Sequence, residues 1–254
     1  MIGFNKPKGI NLKTEEEIKF IREAGRMLRE VKNIIKQNIV EGITTKELDS
    51  IAENAIYKLG GKPGFKGLYG FPGTICSSFN EEIVHGIPSS RKIKNGDILS
   101  VDCGVIYEEF NSDSAFTVSI GNIPSNIKTL INTTEESLKL GIQEAKPGNH
   151  IGDIGHSIEK YSLSKGFSVV KEYVGHGIGK KLHEDPQIPN YGQKSSGPKI
   201  LSGMALAIEP MLIEGNEKTV VDEDGWTVKT ADSSMSAHFE DTIIITNDSF
   251  EIVT

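Results

Sequence analysis

Four carboxylates stand where the surrounding pattern calls for apolar side chains. Glu209 lies inside MALAIEPMLI, where eight of ten residues are apolar and a strand is expected. A lone buried carboxylate must be paired, protonated or bound to a cation, because desolvating its charge is costly. The plain alternative is a salt bridge to an Arg, or a sheet-edge position facing solvent. Asp102 and Asp113 flank a turn expected at Tyr107–Glu109. A regular hairpin centred there sets the two acids opposite each other on one face, with small neighbours Ser100, Gly104, Ala115 and Thr117. Like charges so placed repel unless a cation lies between them. Glu240 adjoins another β-branched run in AHFEDTIIIT. Four carboxylates and one imidazole make a hard, oxygen-rich donor set suited to two divalent first-row ions, unlike the Cys/His set of structural zinc.

The imidazole comes from YVGHGIGKKLHEDP, which holds His176 and His183 among Gly175, Gly177 and Gly179. Those glycines are expected to take positive φ and let the backbone approach a ligand. The full G-x-G-x-x-G is absent, and so is HExxH, which argues against a dinucleotide loop and a helical zincin. His85 sits in a second His-Gly-Ile triplet; singly, each of these histidines reads as structural. His150 and His156 fall on a predicted helix and read as surface residues, while His238, near Glu240, has no assigned task.

These groups need a scaffold. Thr14-Glu-Glu-Glu17 is a capping box opening an amphipathic helix, and Thr44-Thr45-Lys-Glu47 opens a second that stops at Gly60-Gly61. A loop rich in glycine and aromatics follows at Phe65–Gly73. Strands are expected at Ile98–Tyr107, Phe116–Ile120, Met204–Ile213 and Phe239–Thr246, and helices near Ile127–Ala145 and Ile151–Lys165. Gly42-x4-Glu47-Leu48 matches Gly148-x4-Asp153-Ile154, and Gly96–Asp102 matches Gly203–Glu209. Two such matches and two His-Gly-Ile triplets predict a duplicated α+β unit whose halves share a cleft.

The 254 residues, net charge −7 and ordinary hydrophobic fraction suit a soluble globular chain able to bury a core. An acidic chain without a Lys/Arg block argues against nucleic-acid binding as its main work. Two cysteines, Cys76 and Cys103, give no disulfide framework. No apolar leader or membrane span is visible, so the expected location is cytoplasmic.

In this order and spacing the chain resembles the type I methionine aminopeptidase family. The resemblance rests on Asn80–Pro88, Val101-Asp102, Asp113, Gly175–Pro186, Ala207–Pro210, Asp224–Thr230 and Ser236–Thr242. It implies an α/β (α+β) pita-bread fold, one catalytic domain spanning 1–254, with pseudo-two-fold halves of about 1–122 and 123–254 around a dinuclear cleft. It implies Asp102, Asp113, His176, Glu209 and Glu240 as ligands of two divalent ions, Asp113 and Glu240 bridging. Cobalt, manganese, ferrous iron and zinc all suit such a set. It places catalytic histidines at His85 and His183, and a methionine pocket at Phe65, Leu68, Phe71, Cys76, Leu182 and Trp226. Ser112 stands where the family usually has Gly, His238 where it often has Gln, and two pocket aromatics are leucines here.

The implied reaction is removal of N-terminal methionine from nascent polypeptides when the second residue is small, by a metal-bridging hydroxide, with Glu209 relaying protons. His183 would stabilise the oxyanion and His85 would hold the scissile amide. The implied partners are N-terminal Met peptides, with the ribosome left open, and neither membrane nor nucleic acid; a monomer is expected. The competing expectations are a proline-specific aminopeptidase or dipeptidase of the same fold, and a non-catalytic pita-bread binding protein.

Overall fold

The computed structural model describes residues 9–254; the first eight residues, part of the stretch read as lacking a leader, lie outside it. Both predicted capping boxes form. Thr14 opens helix α1 (Glu15–Asn38) and Thr44 opens α2 (Thr45–Leu59), each hydroxyl accepting the N3 amide while the N3 glutamate accepts the cap N–H. Gly60 ends α2 with φ +91°, the left-handed stop its sequence signals. Helices α3 (Ser125–Glu144) and α4 (Ile151–Ser164) begin and end within two residues of expectation.

Each helix pair covers its own sheet system. The α1–α2 side packs on a four-stranded sheet in which Ile98–Tyr107 pairs antiparallel with Lys62–Pro63, Ile75–Phe79 and Phe110–Ser119. Leu28, Val31, Ile35, Leu48 and Ile56 fill the space above Leu99, Val101 and Val105, all unexposed. On the other side, Leu138, Ile142, Ile154 and Ile158 pack against Leu206, Ile208, Ile243 and Ile245. Those strand residues belong to a five-stranded sheet ordered Phe250–Ile252, Asp241–Ile245, Ala205–Ile208, Gly175–Gly177, Glu184–Ile188. Two three-stranded sheets complete the fold.

The internal repeat is visible in backbone detail. Gly42, Gly60 and Gly96 have φ of +94°, +91° and +93°, and their counterparts Gly148, Gly166 and Gly203 have +95°, +85° and +87°. The isolated bridges Thr44↔Lys92 and His150↔Lys199 also correspond.

Four expectations need correction. The strand expected over Phe116–Ile120 runs Phe110–Ser119. The hairpin turns at Glu108–Glu109, with φ +45° and +68°, so Tyr107 pairs with Phe110. Two successive positive φ values match the right-handed twist of the strands, as in type I′ turns. Asp102 therefore opposes Ala115, and Asp113 opposes Gly104; the acids share a face but stand diagonally. The strand expected over Met204–Ile213 is two strands, Ala205–Ile208 and Met211–Ile213, broken at Glu209-Pro210, because proline has no N–H for the ladder. Finally, Gly175, Gly177 and Gly179 do not take positive φ. Gly175 and Gly177 are needed because a Cβ would strike the carbonyl oxygens of Ala207 and Asp185 in the adjoining strands, and at Gly179 it would strike Glu184 and Lys13 side chains.

Cys76 and Cys103 are both free and buried. Among the described residues no helix is long and apolar enough to cross a membrane. Leu28, unexposed between α1 and the sheet, gives a direct test of this core. Leu28→Ala should lower unfolding free energy by about 2–5 kcal/mol in urea titrations.

Candidate metal centre and peptide cleft

The two sheet systems meet along a seam that brings the acids together. Ala115 and Glu240 exchange backbone hydrogen bonds at 3.3 and 3.0 Å. Next to them, Thr242 Oγ1 accepts from the Asp113 amide at 2.9 Å and donates to its carbonyl at 2.8 Å. Asp113 is thereby set beside Glu240, although 127 positions separate them along the chain. Asp102 arrives on the neighbouring strand, His176 on Gly175–Gly177, and Glu209 at the proline break. The Asn190 side-chain amide donates to the Glu209 carbonyl at 3.0 Å, holding that break.

Ligand atoms of Asp113, His176 and Glu240 all lie within 4.8 Å of one another. His176 Nε2 is 3.9 Å from Asp113 Oδ2 and 3.6 Å from Glu209 Oε1. Its other nitrogen, Nδ1, lies 2.9 Å from the Gly177 carbonyl. A carbonyl only accepts, so Nδ1 carries the proton and Nε2 turns a lone pair toward two carboxylates. Asp102 Oδ1, Asp113 Oδ1 and Glu240 Oε1 are buried without hydrogen-bond partners. A lone pair facing carboxylates, with three unsatisfied buried oxygens beside it, is an arrangement that a divalent cation completes. The residues present fit such ions.

The electrostatics agree. Burial, reinforced by Asp102, Glu209 and their neighbours, holds Asp113 and Glu240 well above the usual carboxylate range. Burial and the Asp102 charge raise Glu209 likewise, and burial lifts Asp102 to about 7. His176 is pushed down to about 4 by burial, as a neutral ligand requires.

His85 and His183 line the same cavity of about 690 Å³ as Asp102, Asp113, His176, Glu209 and Glu240. His183 stands at its exposed rim, its ring edge-on to His176 with centroids 4.6 Å apart. Asn111, two residues before Asp113, secures the loop leading to His183. Its side-chain amide donates to the carbonyls of Gly179 at 2.9 Å and Lys180 at 3.1 Å. Ser112 sits opposite Val105 on the other face of its strand, so it does not enter the acid cluster. His85 follows strand Glu82–Val84 with φ +62°, a left-handed conformation that costs a non-glycine residue about 1–3 kcal/mol. Burial, then His183, lowers its pKa to about 4, so the ring is neutral at pH 7.

Phe65, Leu68, Phe71, Cys76, Leu182 and Trp226 form one apolar wall of this cavity. Phe71 and Trp226 meet edge-to-face at 5.2 Å. Tyr69 and Tyr173 also line the cavity and were not singled out from the sequence. Tyr69 is 79% exposed with φ +50° and stacks parallel to His183. Only its place in a glycine-rich aromatic loop hinted at such a position. His150 and His156 do not line the cavity; both are half-buried, His156 on α4 and His150 at its N-cap.

A carboxylate-rich donor set with neutral histidines beside an apolar recess is the equipment of a metal-dependent hydrolase. Comparison with known proteins agrees. Residues 19–247 match metallopeptidase family M24. A methionine aminopeptidase from Clostridium perfringens is 49% identical over 96% of this chain and 98% of its own length. The crystal structure of a methionine aminopeptidase from Thermotoga maritima superposes with a TM-score of 0.95 at 44% identity, over 96% of this chain and 99% of that one. The prolidase from Pyrococcus furiosus shares the fold, with a TM-score of 0.79 at 23% identity, over 96% of this chain and 65% of its own. The chain belongs to metallopeptidase family M24, and within it to the methionine aminopeptidases. The fold is the family's mixed α/β pita-bread fold, and membership implies use of divalent metal ions.

The raised acids give a stability test. A group whose folded pKa is raised contributes stability below its unfolded pKa and loses it as pH rises through the folded value. The window therefore opens near the ordinary carboxylate value of about 4 and passes through about 7 for Asp102. Ion-free protein should melt at a lower temperature at pH 8 than at pH 5.5, and a divalent ion should recover the loss at pH 8. Calorimetric melts with and without ion check both.

Proposed function

We propose that this site hydrolyses the peptide bond after an N-terminal methionine, and that Asp102, Asp113, His176, Glu209 and Glu240 would hold two divalent ions there. What carries this reading is one cavity containing the five donors, two further neutral histidines and an apolar wall. Bound there, the ions would supply Lewis-acid chemistry, acidifying water and polarising the scissile carbonyl.

The chain's own residues do the rest. Glu209 accepts the proton of the attacking water and passes it to the leaving amine, a task open to a carboxylate whose basicity its surroundings raise. His183, at the rim, donates a hydrogen bond to the carbonyl oxygen as negative charge develops on it, and His85 holds the amide of the scissile or following peptide group. Phe65, Leu68, Phe71, Cys76, Leu182 and Trp226 enclose the methionine side chain, whose flexible thioether suits an irregular apolar recess. The second residue must fit beside the histidines, so small residues are preferred. Nascent polypeptides are the proposed substrates in a cytoplasmic setting, and one chain, with halves of about 1–122 and 123–254, is the proposed working unit.

Metal-stripped protein should be inactive on Met-Ala-Ser and recover activity as a divalent ion is titrated back; failure with cobalt, manganese, ferrous iron and zinc alike would refute the reading. His85→Ala and His183→Ala should each reduce kcat by about 10²–10³, with ion binding by calorimetry unchanged. Met-Ala peptides should be cleaved far faster than Met-Leu peptides, and equal rates would remove the small-residue claim.

A further inference from the structure

His238 lies beside the cleft without a part in the reaction above. It is 1% exposed, and its Nε2 has no hydrogen-bond partner. The acidic atom facing that nitrogen is Glu209 Oε2, at 3.6 Å. The other oxygen of the same carboxylate, Oε1, stands 3.6 Å from His176 Nε2. Glu209 is thus flanked by two imidazoles, only one of which belongs to the proposed ligand set.

The placement of His238 is firmly held. Its backbone N–H donates to Thr117 Oγ1 at 2.9 Å, and its carbonyl accepts from the same hydroxyl at 2.8 Å. The Thr117 hydroxyl proton is therefore committed, and Ser100 Oγ, 2.8 Å away, acts as donor to it. Strand Ser236–His238 also pairs with Met211–Ile213, aligning His238 with Met211, just beyond the Glu209-Pro210 break. A buried ring on a firmly held backbone, beside a carboxylate at a chain break, is suited to orienting it.

We propose that His238 is a positioning residue for Glu209. The neutral ring carries its proton on Nε2 and donates it to Glu209 Oε2, which leaves Oε1 turned toward His176. The 3.6 Å separation is longer than a hydrogen bond, and a small side-chain rotation would have to close it. A carboxylate that both holds an ion and handles a proton must keep its two oxygens in distinct places, and groups behind metal ligands commonly supply that constraint. The carboxylate that His238 Nε2 faces is that of Glu209, so it acts through Glu209.

This inference rests on the proposed role of Glu209, and its test separates the two. In zinc-loaded wild-type protein carrying ¹⁵N-labelled histidine, the ring-nitrogen shifts of His238, assigned by their loss in His238→Gln, should show a proton on Nε2. A proton on Nδ1 alone, or a metal-bound nitrogen, would overturn the proposal. His238→Gln, which retains an N–H donor, should stay close to wild type in kcat. His238→Leu should lose about 10–100-fold in kcat with KM nearly unchanged, and should bind zinc more weakly by calorimetry. Wild-type kcat and zinc affinity in a folded His238→Leu variant would overturn it, and if that variant does not fold, the wild-type tautomer decides. Absence of Met-Ala-Ser hydrolysis by wild-type protein would instead defeat the reading of the reaction, while the tautomer and calorimetry still judge His238.

Discussion

Four carboxylates crowded into one cleft are the constraint on which the structure turns. Asp113 and Glu240 are nearly inaccessible, at 4% and 2% exposure, while Asp102 and Glu209 keep some exposure to the cavity. Burial and mutual repulsion both disfavour ionisation, and that is why these acids sit above their ordinary range. A folded chain without cations therefore holds them at a cost, and divalent ions convert that cost into affinity. The neutral His176 lone pair and the unpartnered oxygens of Asp102, Asp113 and Glu240 express the same demand in geometry.

The rest of the fold makes the crowding possible. Two helix pairs with aliphatic cores bury apolar surface against their own sheets, and the two sheet systems join along one seam. At their seam, Thr242 grips Asp113 through both its amide and its carbonyl. Gly175 and Gly177 let their strand lie against both neighbours, which sets His176 across from the carboxylates. Two of the non-glycine residues with positive φ, His85 and Tyr69, border the cavity. Such conformations persist because the surrounding framework fixes them.

Local sequence signals were legible where local chemistry decides the outcome. Thr14–Glu17 and Thr44–Glu47 started their helices as patterned, Gly60 stopped one, and Ile98–Tyr107 is a strand with the expected ends. The candidate donor residues stood out because carboxylates inside apolar strand runs contradict the strand pattern. The hairpin register was not: alternation identifies a face, but the two-residue turn at Glu108–Glu109 fixes which residues meet, and neither residue is the Gly or Asn that usually marks such a turn. The glycines around His176 were legible as special, yet their reason lies in strands distant in sequence.

By itself, then, the sequence determined the helix boundaries, the duplicated plan and the residue types able to hold divalent ions, since each follows from periodicity, capping or the cost of a misplaced charge. Tertiary structure alone decided that Asp113 lies beside Glu240, that Glu209 stands between His176 and His238, and that Tyr69 faces His183 at the rim. Those relations depend on how separate sheets dock, and sequence spacing carries no distance between strands that meet only after folding.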